Sequence, residues 1–84
     1  MKLKLEYAVT NNIDSLINRE VGRRMMNGAV VLKKDVMQEV ADHCGVSWEN
    51  INRIKKNNSQ PSLAVAIKIA EYFELKVEDI FKIS

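Results

Sequence analysis

Cysteine is nearly missing from this chain. Cys44 stands alone, so no intrachain disulfide can form, and such usage suits a reducing compartment, here expected to be the cytoplasm. Histidine is equally scarce. His43 adjoins Cys44, but neighbours on a helix point about 100° apart, and no third or fourth ligand follows at zinc spacing. The pair reads as an exposed imidazole and a core thiol, with no metal and no cofactor. The 3 glycines are dispersed, so no Gly-rich phosphate cradle is present. Pro61 is the only proline, and no low-complexity tract or linker divides the chain. No paired carboxylates or Ser/His/Asp set suggest catalysis, and the expectation is that the chain is not an enzyme. No apolar run approaches the roughly 18–20 residues of a membrane span. The opening MKLKLEYAV alternates charge with apolar residues and lacks the apolar core of a signal peptide.

A dominant charge sign is also lacking. Lys and Arg number 13 against 11 Asp and Glu, a net charge of +2 and a pI of about 8.8. That is too weakly basic to announce a nucleic-acid partner by itself. Its distribution says more. Lys2, Lys4, Arg19, Arg23, Arg24, Lys33 and Lys34 outnumber the acids of the first third, and Arg53, Lys55 and Lys56 face only Glu49 between residues 47 and 61.

What is present is a folded composition, 46% apolar and 29% charged over 84 residues. That length makes a single domain, 1–84, whose modest core calls for good helix packing or a partner subunit. Residues 2–9 alternate, with Leu3, Leu5, Tyr7 and Val9 on one side. Period two predicts a half-buried strand. No second strand is evident to pair with it, so 1–11 is either a strand that meets its copy in a dimer or a flexible arm.

From Asn11 the period becomes helical. Ile13, Leu16, Ile17, Val21 and Met25 form one stripe of a helix over about 12–26, capped by Asn11 or Asn12 and stopped by Asn27-Gly28. A connector runs to residue 35. Asp35 and Gln38 read as a capping box for a second helix over about 36–43, with Val36, Met37, Val40, Ala41 and Cys44 inward and Gly45 at its end. Ser47 caps a third helix, with Ile51 and Ile54 inward and Asn57-Asn58 at its close. Leu63, Ala66, Ile67, Ala70 and Phe73 define a fourth helix over about 62–73, and Val77, Ile80, Phe81 and Ile83 a fifth over about 77–82. The expected fold is all-α, with five helices and a short N-terminal strand.

The second and third helices are separated only by Gly45 and Val46 before the Ser47 cap. So tight a connection forces two helices to cross at roughly 90–120°, a helix-turn-helix unit. At these residues a resemblance can be stated. The segment VADHCGVSWENINRIKKNNSQPSLAVAIKIAEYFELKVEDIF is similar to the helix-turn-helix domain of the Xre/Cro/phage-repressor family, and the likeness covers about 36–82. It rests on Val40-Ala41, Gly45-Val46-Ser47, Ile51, Pro61-Ser62-Leu63, Ile69-Ala70 and Leu75 through Phe81. It implies a five-helix, lambda-repressor-like domain that inserts its third helix into the major groove of duplex DNA, as a homodimer. The chain departs from the pattern at four positions. Met37 replaces a phosphate-facing Gln, and Lys55 a Glu that pairs with an Arg of the first helix. Asn57 and Glu74 replace glycines. Lys55 is then either free for phosphate or paired with an acid such as Glu20.

With Ile51 and Ile54 inward, Trp48, Glu49, Asn52 and Arg53 point outward. The first residues of a recognition helix reach base edges. Arg53 suits guanine, Asn52 adenine, and Glu49 the cytosine amino group. Trp48 offers a surface for a thymine methyl, or packs on the connector. Glu49 otherwise only supports the helix dipole. Ser47, Lys55, Lys56 and Asn58 are the expected phosphate contacts. Arg23 and Arg24 read as solvated. The function expected is sequence-specific binding of double-stranded DNA by a small transcriptional repressor of Cro or prophage/plasmid type. The alternative is a protein-interaction module, such as the antitoxin of a toxin–antitoxin pair, with a protein partner.

Overall fold

Isoleucine makes the centre of this protein. Ile13, Ile17, Ile51, Ile54, Ile69 and Ile80 are all at most 1% exposed, with Val36 and Val40 between them. Branched at Cβ, isoleucine and valine have few rotamers to lose, and each fully buried one contributes about 1.5–3 kcal/mol. The computed structural model describes residues 9–83. Within them the order is β1 (Val9–Asn11), α1 (Ile13–Met26), α2 (Lys33–Cys44), α3 (Trp48–Lys55), α4 (Leu63–Phe73), α5 (Val77–Ile80) and β2 (Phe81–Ile83). Helix α2 is the hub on which α1, α3 and α4 all pack. Its inward side chains, Val36, Met37, Val40 and Ala41, are all buried.

Four helices end the same way. Gly28, Gly45, Asn57 and Glu74 adopt positive φ after α1, α2, α3 and α4. At each, the next amide reaches back to a carbonyl of the last turn: Ala29 to Arg24, Val46 to Ala41, Asn58 to Arg53 and Leu75 to Ala70, at 2.9–3.0 Å. These are Schellman closures, which satisfy otherwise orphaned carbonyls. Glycine enters the left-handed region without cost. Glu74 does so against a penalty of about 1–2 kcal/mol.

Several expectations need correction. Helix α2 starts at Lys33, not Val36. Asp35 is not its cap but sits in its first turn, where its carboxylate accepts a 2.9 Å hydrogen bond from the Leu32 amide. A carboxylate serves the orphan amides from that position as well as from the cap. Leu32 has no side-chain acceptor, so only half of a capping box forms, and Gln38 donates to Asp42 instead. The fifth helix stops at Ile80, because Phe81 turns extended. Phe81–Ile83 then pairs antiparallel with Val9–Asn11, Val9 opposite Ile83. A strand partner thus exists inside the chain. The rest of the alternating segment, residues 2–8, lies outside the described residues. Met25 is 58% exposed, so the α1 stripe ends at half-buried Val21. On α4 the inward residues are Ala66, Ile69 and Ala70, while Leu63 and Ile67 face out. That helix is apolar nearly all round, which hid its register.

Asn11 ties the small sheet to the bundle. Its Oδ1 accepts from the Ile13 amide at 3.1 Å, and its Nδ2 donates to the Ile54 carbonyl at 2.9 Å and to Asn57 Oδ1 at 3.1 Å. One amide side chain therefore starts α1 and fastens the end of α3.

Candidate nucleic-acid interface

The turn between α2 and α3 fixes where α3 points. Gly45 lies at φ 71°, Val46 is half-buried in the corner, and Ala41 is fully buried where the helices approach. Ser47 Oγ accepts from the Asn50 amide at 3.2 Å and starts α3. Ile51 and Ile54 anchor α3 in the core, at 0% and 1% exposure. Glu49, Arg53 and Lys56 then lie three or four residues apart on its outward face and are exposed, with Asn52 half-buried beside them. This spacing makes one stripe along a helix.

Trp48 is half-buried rather than fully outward. It lines a shallow pocket of about 330 Å³ with Lys34, Asp35 and Gln38, and packs against the core. Its indole therefore braces the start of α3 against the first turns of α2. The Met37 side chain is 3% exposed and takes no part in the surface. Lys34, beside Trp48, is exposed. Among the described residues, Lys34, Arg53 and Lys56 have no carboxylate partner, which leaves three cations around the outward face of α3. Asn58 is exposed in the loop that follows.

Lys55 is placed differently. Its side chain is 13% exposed and its ammonium lies 3.3 Å from Asp14 Oδ1. The Lys33 ammonium meets the same oxygen. The partner of Lys55 is thus Asp14 rather than Glu20. The charge order is the reverse of the familiar one, with the acid on the first helix and the base at the end of the third. Asp14 is held below the usual carboxylate range by its hydrogen bond from Lys33, assisted by Lys55.

Arg23 is largely solvated, as expected, at 62% exposure, but Arg24 is drawn into a network at 24%. Arg24 forks onto Glu39 of α2 with both contacts at 2.7 Å, and its Nε meets Glu20 at 2.6 Å. Arg23 spans both oxygens of Glu20, at 3.0 Å to Oε1 and 2.6 Å to the Oε2 that it shares with Arg24. The Tyr72 hydroxyl of α4 donates to Glu39 at 2.8 Å and lies 3.3 Å from the Arg24 guanidinium. Glu20 is held down to about 2, first by Arg23 and then by Arg24. Tyr72 is pushed up to about 12 by burial and by the Glu39 charge. This network knits α1, α2 and α4 together.

Cys44 is half-buried against the core, and burial pushes its thiol up, away from a reactive thiolate. His43 lies 3.2 Å from Glu71 and edge-on to Tyr72. Among the described residues no three His, Cys, Asp or Glu side chains gather as metal ligands, and no helix is long and apolar enough to cross a membrane.

Lys34 was missed from the sequence. A helix begun at Val36 places it in a connector, whereas the adjacent pair Lys33-Lys34 could have signalled an earlier start. Asp14 was missed because its partners lie 19 and 41 residues away.

Comparison with known proteins agrees with this geometry. The Cro/C1-type HTH DNA-binding domain matches residues 23–84. An uncharacterised HTH-type transcriptional regulator of Methanocaldococcus jannaschii is 46% identical over 44 residues, 52% of this chain and 67% of the relative. A second, from Archaeoglobus fulgidus, is also 46% identical over 44 residues, and the match spans 62% of its length. The family is one of DNA-binding domains and not a class of enzymes. With the tight Gly45 turn, the anchored α3 and a family match over most of its length, this chain belongs to the Cro/C1-type helix-turn-helix DNA-binding domains.

Proposed function

We propose that the protein is a sequence-specific transcriptional repressor of Cro or prophage/plasmid type that reads duplex DNA with α3. The observation that carries this reading is the outward stripe of α3, with Glu49, Asn52 and Arg53 held in place by the buried Ile51 and Ile54. Arg53 forks onto guanine O6 and N7, Asn52 pairs with adenine, and Glu49 accepts from the cytosine amino group. Trp48, braced on α2, offers its exposed edge to a thymine methyl or to sugar. Ser47, Lys56 and Asn58 position the domain on phosphates, and Lys34 beside Trp48 joins them. Lys55 belongs to this set only to the extent that phosphate displaces Asp14.

Binding is as a homodimer on a two-fold site, with half-sites about 34–36 Å apart. The outward residues Leu63 and Ile67 of α4, 73% and 45% exposed, support a pairing face one loop away from α3. Selection of bound sites from random duplex DNA tests the whole reading. A symmetric pair of half-sites is the expected result. Failure of any duplex to bind at about 50 mM salt, where phosphate contacts are strongest, removes it. The protein-interaction reading has one observation in its favour: Met26 and Val30, at the turn after α1, are 89% and 97% exposed.

A further inference from the structure

We propose that Asp14 is an electrostatic brake on DNA binding: it acts as an internal anion that keeps Lys33 and Lys55 from binding DNA phosphates, and so lowers the sequence-independent part of the affinity. This inference rests on the DNA-binding reading above.

The geometry is that of one carboxylate bridging two helix ends. The first residue of α2 and the last of α3 are the residues of the two helices farthest in sequence from the Gly45 turn. Those residues are Lys33 and Lys55. Both ammoniums converge on a single oxygen, Asp14 Oδ1, presented from the first turn of α1. The other oxygen is 3.5 Å from the Asn18 amide. The Asp14 side chain is 52% exposed and that of Lys33 is 39% exposed, so these two are open to an incoming anion, while Lys55 is 13% exposed beneath them. The cluster adjoins two of the free cations in sequence: Lys33 precedes Lys34, and Lys55 precedes Lys56.

Non-specific affinity follows the number of phosphates a protein neutralises, because each one releases condensed counterions. A lysine already neutralised by a carboxylate displaces none. Asp14 thus removes as many as two lysines from the count, while leaving Arg53 and its neighbours free to read bases. A carboxylate with the same contacts but a merely structural role would behave differently. Its loss would weaken binding to every sequence alike and leave the salt dependence unchanged.

The test is Asp14→Asn, with the fold checked by circular dichroism, titrated against a labelled duplex of random sequence over a salt series. The slope of log K against log salt should steepen by about 0.9 for each lysine released, or about 8-fold tighter binding per lysine near 0.1 M salt. Adding Lys55→Gln to Asp14→Asn should return about 0.9 of that slope. An unchanged or shallower slope in a folded Asp14→Asn protein overturns the proposal. Should that variant not fold, Lys33→Gln/Lys55→Gln in the otherwise native chain serves instead. Its slope should match the native one, and a slope shallower by about 0.9 or more overturns the proposal. Native protein that binds no duplex at all would defeat the underlying reading, a result distinct from native binding with an unaltered Asp14→Asn slope.

Discussion

Arg24→Met keeps the aliphatic stem of Arg24 and removes the charge that joins three helices. The guanidinium makes two 2.7 Å contacts with Glu39, one of 2.6 Å with Glu20 and one of 3.3 Å with the Tyr72 hydroxyl. Its side chain is 24% exposed and that of Glu39 is 46% exposed. Fully exposed pairs contribute about 0–1 kcal/mol, and breaking a fully buried one costs about 3–5 kcal/mol. Between these limits, discounted for solvent on the Glu39 side, the loss is about 2 kcal/mol. In a domain this small each kcal/mol shifts Tm by about 4–8 °C, so thermal melting followed by circular dichroism should show a fall of about 10 °C. The effect has a pH signature. Arg23 and Arg24 hold Glu20 at about 2 against its ordinary 4.5, and Arg24 lowers Glu39 in the same direction. A carboxyl depressed in the folded state contributes stability above its ordinary pKa and loses it as pH falls through the folded value. The gap between native and variant should therefore be full above about pH 5 and shrink towards pH 2. A Tm change under about 2 °C, the same at every pH, would show that solvent already screens the network and refute the reasoning.

Arg53→Ala should cost about 1–3 kcal/mol of affinity for the selected site and relax preference at one base, measured by anisotropy; unchanged affinity would mean the register of α3 on DNA is misassigned. Glu74→Gly should raise stability by about 1 kcal/mol in urea denaturation, since it relieves a left-handed φ of 56°, and a loss would mean that side-chain contacts of Glu74 outweigh its strain. Ile67→Lys, on the exposed face of α4, should leave Tm within a few °C, as surface changes do, and shift sedimentation equilibrium towards monomer. A full-strength dimer in that variant moves the pairing face elsewhere.

The helix-turn-helix was the most legible part of the sequence, because its signals are local. A capping serine, a left-handed glycine and two inward isoleucines fall within ten residues of one another, and each acts through its immediate backbone. The ends of the chain were less legible. The helical period of Val77 and Ile80 runs on into Phe81, and only a strand from the opposite end of the chain, Val9–Asn11, reveals that Phe81–Ile83 is extended. Helix α4 shows a third limit. Where Leu63, Val65, Ile67 and Ile69 are all apolar, periodicity cannot say which face is inward, and burial chose Ile69. Around the candidate interface, residue types foretold an outward stripe on α3 and offered packing of Trp48 on the connector as one alternative, but not that Lys55 would turn to Asp14 or that the first turns of α2 would receive the indole. Both depend on long side chains meeting partners far away in sequence.

The pairing of β1 with β2 also governs how this domain would respond to tension. Val9 and Ile83 sit opposite each other at the open end of a three-residue antiparallel ladder. A pull applied at these two points loads the ladder one rung at a time, like a zipper, instead of shearing all its hydrogen bonds together. The bonds of Asn12 to the Ile80 carbonyl and of Asn11 to Ile54 come next in line. The helices that hold α3 would feel force only after these have yielded, which makes the small sheet a mechanical fuse for the DNA-facing bundle.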